Sequence, residues 1–201
     1  MLTFAMMPEY YIFYKPYQVL CQFSKEGDKK TLADFFPLIS KDIYPVGRLD
    51  YDSEGLLILT NDKSLTHKLL DPNFGHPRTY FVQVDGAINE EAIRRLTNGV
   101  TIKVDGKDHC TKKAQASIFE NEPSLPARNP PIRFRKDIPT SWIELTLTEG
   151  KNRQVRHMTA AVGYPTLRLV RYAIGKLSID GLAPGDHKLI DGQRIKSLLQ
   201  I

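Results

Sequence analysis

Four consecutive aliphatic residues, Leu56, Leu57, Ile58 and Leu59, constrain the fold of this 201-residue chain more than any other feature. The run is too short for a helix and is closed by Gly55 on one side and Asn61-Asp62 on the other, so it reads as a short buried strand. The stretch ahead of it, PVGRLDYDSEG, holds Arg48 and Asp50 one residue apart between Gly47 and Gly55. A solvated loop would carry those charges at lower cost than a segment anchored to the core. The stretch is therefore either a turn with ordinary surface charges or a reactive carboxylate on a rigid shelf.

The rest of the chain mixes strands and helices without a strict β-α-β rhythm, which predicts an α+β fold. YYIFY (10–14) reads as a strand ended by Lys15-Pro16, and TLADFFPLI (31–39) as a short helix capped by Thr31. Asn61 and Asp62 offer caps for a helix with Leu65, Leu69 and Leu70 on its buried side. RTYFVQVDG (78–86) alternates with Tyr80, Val82 and Val84 on one face, and Asn89 caps EEAIRRLTN, which stops at Asn98-Gly99. Short strands are expected near TIKV and AQASIF. WIELTLTEG (142–150) alternates again, and NRQVRHMTAAVG is a helix burying Val155, Met158, Thr159 and Val162. Five prolines within 121–140 forbid regular structure there, and Arg128, Arg133, Arg135 and Lys136 sit among them.

Charge is concentrated. Residues 128–176 hold ten Lys/Arg and three acids, a net of +7 in a chain of +5, which leaves the remainder at −2. Such a segment fits either a polyanionic partner or a solvated basic face. No apolar run approaches the roughly 18 residues of a membrane helix, and the first residues lack a signal-peptide pattern. Two cysteines, Cys21 and Cys110, fit a reducing cytoplasm rather than a disulfide framework. The five histidines lack metal-ligand spacing, and neither a P-loop nor a dinucleotide glycine pattern occurs.

Four stretches in order, KPY (15–17), GRLDYDSEGLLILTND (47–62), RTYFVQVDG (78–86) and EGKNRQVRHMTAAVGYPTLRLVRYAIG (149–175), resemble the RsuA-type pseudouridine synthases. The resemblance implies an α+β catalytic domain over 9–190, two subdomains around a shared mixed, largely antiparallel sheet with a basic active-site cleft. A C-terminal tail (191–201) follows, without the N-terminal RNA-binding extension that many relatives carry. It implies isomerisation of a uridine to pseudouridine in large-subunit ribosomal RNA, free or in assembly intermediates, with no cofactor and no metal. A monomer is expected, since no long apolar surface stripe is evident. The alternatives are a synthase acting on small-subunit or transfer RNA, and a non-catalytic RNA-binding assembly factor on the same scaffold.

The resemblance also assigns roles. Asp50 attacks the sugar or removes its C2′ proton, Arg156 pairs with Asp50 to keep it charged and dry, and Tyr80 holds the base. Arg48 enters the gap left by the flipped nucleotide. Leu167 walls the uracil pocket, and Arg168 and Arg171 contact phosphate. Lys151, Arg153, Arg133 and Arg135 add RNA contacts. Lys15-Pro16 reads as a structural turn beneath the site, and Cys21 as a buried thiol.

Overall fold

The computed structural model describes residues 7–132 and 138–201. In chain order its elements are β1 (Tyr10–Lys15), β2 (Val19–Leu20), β3 (Lys30–Thr31), a 3-10 turn (Leu32–Asp34), β4 (Tyr44–Pro45), β5 (Glu54–Thr60) and α1 (Lys63–Leu70). There follow β6 (Arg78–Asp85), α2 (Glu90–Asn98), β7 (Thr101–Val104), β8 (Lys107–Cys110), β9 (Gln115–Ile118) and β10 (Thr140–Leu147). The last are α3 (Gln154–Ala161), β11 (Thr166–Ile174), β12 (Leu177–Ser178), β13 (His187–Leu189) and α4 (Gly192–Leu199).

A nine-stranded sheet runs β13-β1-β5-β11-β6-β10-β9, with β4 paired to β5 and β12 to β11. Every pairing in it is antiparallel except β5 with β11, so the sheet is mixed and largely antiparallel as expected. The aliphatic run explains its own position. Leu56 and Ile58 enter one core with Tyr14, Val170, Leu65 and Ile195, while Leu57 and Leu59 enter another with Phe13, Leu32 and Phe36. Both faces of β5 are therefore covered, and each of its four aliphatic side chains is 0% exposed. Burial of that kind stabilises by roughly 1.5–3 kcal/mol per side chain. A third core packs β6, β10 and β11 against α2 and α3 through Val82, Val84, Ile143, Leu145, Leu96 and Met158.

The two halves of the sheet meet at the short parallel ladder of β5 and β11, where Val170 pairs with Glu54 and Arg171 with Gly55. Gly55 has φ +110°, and a Cβ there would lie 2.3 Å from the Arg171 carbonyl oxygen, so only glycine allows this approach. On its other edge β11 pairs with β6, placing Arg171 opposite Tyr80. A single strand thus carries the Asp50 segment and Tyr80 toward one another.

Several elements depart from the sequence expectation. The helix expected over 31–39 is one 3-10 turn, in which Asp34 accepts the Thr31 backbone N–H at 2.8 Å. Pro37 disfavours a helical conformation at Phe36 and cuts the turn short. Leu70 is half-exposed, one residue and about 100° around α1 from the buried Leu69. Past residue 163, β11 supplies the central seam, and α4 buries Ile195 and Leu199 beside Tyr10 and Tyr14. Among the described residues no helix is long and apolar enough to cross a membrane.

Candidate active site

Asp50 stands in a turn tied down from three directions. Ser53 N–H donates to the Asp50 carbonyl (3.0 Å), Gln18 N–H to the Tyr51 carbonyl (2.8 Å), and Leu49 N–H to the Cys21 sulfur (3.2 Å). Cys21 is a partly buried thiol whose pKa burial pushes up, which keeps it a neutral acceptor under the turn. Lys15 is fully buried below and gives Nζ hydrogen bonds to the carbonyls of Pro16 (2.9 Å) and Val19 (2.8 Å). Its pKa falls to about 8, chiefly through desolvation, with the acids Glu54, Asp52 and Asp50 opposing the shift. Lys15 ends β1 rather than forming a turn with Pro16, and its Nζ bonds tie down the chain that turns at 17–18.

A second segment faces the turn from the start of α3. Glu149 is 7% exposed and its carboxylate accepts from Lys112 N–H (2.8 Å), Gln154 Nε2 (2.7 Å) and His109 Nε2 (3.1 Å). Burial raises its pKa, but these donors outweigh it and leave the group below the usual carboxylate range. Gln154 Oε1 in turn accepts Lys151 N–H at 2.9 Å. The brace holds Arg153 at the N-cap of α3 in the left-handed region, φ 50°, an uncommon conformation for a residue with a side chain.

Four charges meet between the two segments. Arg153 grips Asp52 with both arms, Nη1 to Oδ1 and Nη2 to Oδ2, each 2.9 Å, and reaches Asp50 Oδ2 from Nη1 at 3.4 Å. Arg156 gives Nη2 to the Asp52 carbonyl oxygen at 2.6 Å and lies 3.3 Å from Asp52 Oδ2 and 3.5 Å from Ser53 Oγ. The expected Asp50–Arg156 pair is thus replaced: Arg153 is the direct cation on Asp50, and Arg156 is held one residue along by Asp52. Arg156 Nε is buried without a hydrogen-bond partner. Desolvation lowers the Arg156 pKa, while the hydrogen bond to Asp52 raises that of Arg153. Burial pushes Asp52 up, but Arg153 and Arg156 outweigh it, and its carboxyl lies below the usual range. The Asp50 side chain is 31% exposed, so the free site is open to water rather than dry.

The pocket over Asp50 is lined by Arg48, Tyr80, Leu147, Lys151, Arg153 and Leu169, among others. A neighbouring groove shares Arg48, Tyr80 and Lys151 with it as lining. Arg48 is exposed at the edge of this pocket. The wall is Leu169 rather than Leu167, because a register shift between Thr166 and Arg168 breaks the alternation along β11. Arg168 and Arg171 do not reach outward. Each is 5% exposed; Arg168 forms a two-armed pair with Glu54 (2.9 Å and 2.9 Å), and Arg171 Nε donates to the Leu56 carbonyl at 2.8 Å. Arg133 and Arg135 lie outside the described residues.

A family model for RNA pseudouridylate synthases matches residues 9–161. The chain belongs to the RNA pseudouridylate synthase family. One curated relative in it, ribosomal large subunit pseudouridine synthase E of Vibrio parahaemolyticus, is 50% identical over 179 residues, 89% of this chain and 72% of the relative. The protein of the same name from Xanthomonas axonopodis is 52% identical over 172 residues, 85% of this chain and 87% of the relative. A crystal structure of a pseudouridylate synthase matches the fold with TM-score 0.77 at 24% identity, over 98% of this chain and 76% of that one.

Asp52, Leu169 and the Glu149–Gln154 brace were not singled out from the sequence. Asp-X-Asp at 50–52 facing Arg-X-X-Arg at 153–156 is a visible signal in hindsight, since residues three apart share a helix face. Leu169 and Glu149 leave no such mark, because pocket walls depend on register and buried braces on partners far along the chain.

Proposed function

We propose that this chain isomerises one uridine of large-subunit ribosomal RNA to pseudouridine. The observation that carries the reading is the convergence of Asp50, Arg153, Tyr80 and Leu169 on one small pocket at the β5–β11 seam. The homologues named for large-subunit RNA, about half identical over most of the chain, supply the substrate class.

The chemistry suits those groups. The target uridine leaves its stack and Arg48 fills the gap, offsetting part of a cost of a few kcal/mol. Uracil stacks on Tyr80 against Leu169, an interaction worth roughly 1–3 kcal/mol per base. Cleavage of the N1–C1′ bond leaves its electron pair on uracil. Asp50 either forms an O–C1′ bond or takes the C2′ proton, and the same carboxylate serves both routes. The uracil anion turns, C5 bonds to C1′, any bond or proton held by Asp50 is returned, the C5 proton passes to water, and N1 takes up a proton in exchange. We place the enzyme in the cytoplasm as a monomer, acting on free or partly assembled large-subunit RNA, where the uridine is still reachable. Residues 9–190 form the catalytic unit in this reading.

RNA carrying uridine tritiated at C5 tests it. Wild type releases tritium from large-subunit RNA and Asp50→Asn releases none while binding the same RNA. Tight binding without release from any RNA makes the chain an assembly factor. Release only from small-subunit or transfer RNA moves the target.

A further inference from the structure

The contacts around Asp52 exceed what a turn residue needs. It takes both arms of Arg153, and its carbonyl and carboxylate together hold Nη2 of Arg156. Asp50, two residues earlier, makes one ion pair among the described residues, at 3.4 Å and through one of its two oxygens. We propose that Asp52 is a positioning residue for the reaction: it captures Arg153 and Arg156 so that neither closes on Asp50, leaving the reacting carboxylate neutralised at a distance but ungripped.

The physical argument concerns lone pairs. A carboxylate held by two guanidinium arms accepts charge-assisted hydrogen bonds at both oxygens and is stabilised in its ground state. To attack C1′ or lift a proton it must first give one of those bonds up, which raises the barrier. A carboxylate with no nearby cation is no better, since it neutralises once RNA covers the pocket and displaces water. Asp52 resolves the conflict. The four side chains sum to zero charge, and the shortest, best-aligned bonds fall on the carboxylate that does not react. The backbone supports this division: the Asp50–Ser53 turn directs both carboxylates at α3, and the Glu149–Gln154 brace fixes Arg153 against them.

The inference rests on the functional reading above, and one set of assays separates them. Tritium release is measured at saturating RNA for wild type, Asp52→Asn, Asp52→Glu, Arg153→Gln and the double variant Asp52→Asn/Arg153→Gln, with RNA affinity and melting temperature recorded for each. The expected result is a kcat for Asp52→Asn lower by on the order of 10- to 100-fold with KM little changed. Asp52→Glu recovers part of that loss, because charge and a second acceptor oxygen return. In the Arg153→Gln background the same Asp52→Asn change costs less, since one of the two cations it restrains is gone. Three outcomes overturn the inference: Asp52→Asn turning over like wild type, a loss confined to melting temperature or KM, or an undiminished Asp52→Asn effect when Arg153 is absent. If wild type itself releases no tritium from any RNA, the functional reading fails and this inference with it.

Discussion

Replacing Arg168 by alanine separates two roles for that residue, the phosphate contact suggested by its motif and the buried strut found in the fold. Both nitrogens of its fork lie 2.9 Å from the two oxygens of Glu54, and the side chains are 5% and 2% exposed. The guanidinium also donates to the Pro126 carbonyl at 2.8 Å and sits 5.9 Å from the Trp142 ring, tying the 123–126 segment to the sheet. Alanine leaves a buried Glu54 without its partner, and breaking a buried pair from one side costs about 3–5 kcal/mol. For a chain of this size that corresponds to a melting temperature lower by about 6–20 °C. Removing both charges together, as Glu54→Leu/Arg168→Met, should cost less than either single change, because no orphan charge remains. Thermal melts followed by circular dichroism read the stability. The salt dependence of RNA binding reads the contact: the slope of log K against log salt should stay as in wild type. A variant that melts like wild type but has lost about 0.7 from that slope refutes the structural assignment and restores the phosphate contact.

Gly55→Ala should be among the most damaging small substitutions, since its Cβ would lie 2.3 Å from the Arg171 carbonyl oxygen and 2.6 Å from its nitrogen, at φ +110°. A loss of roughly 3 kcal/mol or more in urea denaturation is expected, and unchanged stability would mean the β5–β11 seam is looser than described. Lys15, with its pKa depressed from 10.5 to about 8, keeps its charge in the folded state only at a cost below that value. As pH rises from about 8 to 10.5 the folded chain sheds this proton before the unfolded chain does, so stability from this group increases across that window, by up to roughly 3 kcal/mol. Urea midpoints of wild type minus those of Lys15→Met should rise accordingly, and a flat difference would contradict the buried ammonium.

The sequence by itself determined the strands and helices whose periodicity is strong, the motif segment carrying Asp50, and the aromatic Tyr80 that faces it. Leu56 to Leu59 read as a strand covered on both faces, and Asn89 and Asp62 each cap the helix they precede. Those are local properties: side-chain alternation, capping chemistry and the limits on backbone angles act over a few residues. Only the tertiary structure decided which cation serves which carboxylate. Arg153 and Arg156 both look like exposed helix charges in sequence, and their partners are 101 and 104 residues away. It also turned Arg168 and Arg171 inward, because β11 lies in the middle of the sheet, where a cation must be paired or hydrogen-bonded to stay. Register made the last distinction, moving the pocket wall from Leu167 to Leu169 through one irregularity in the β6–β11 ladder. Ion pairing and register belong to strands brought together across the chain, and no short-range pattern encodes them.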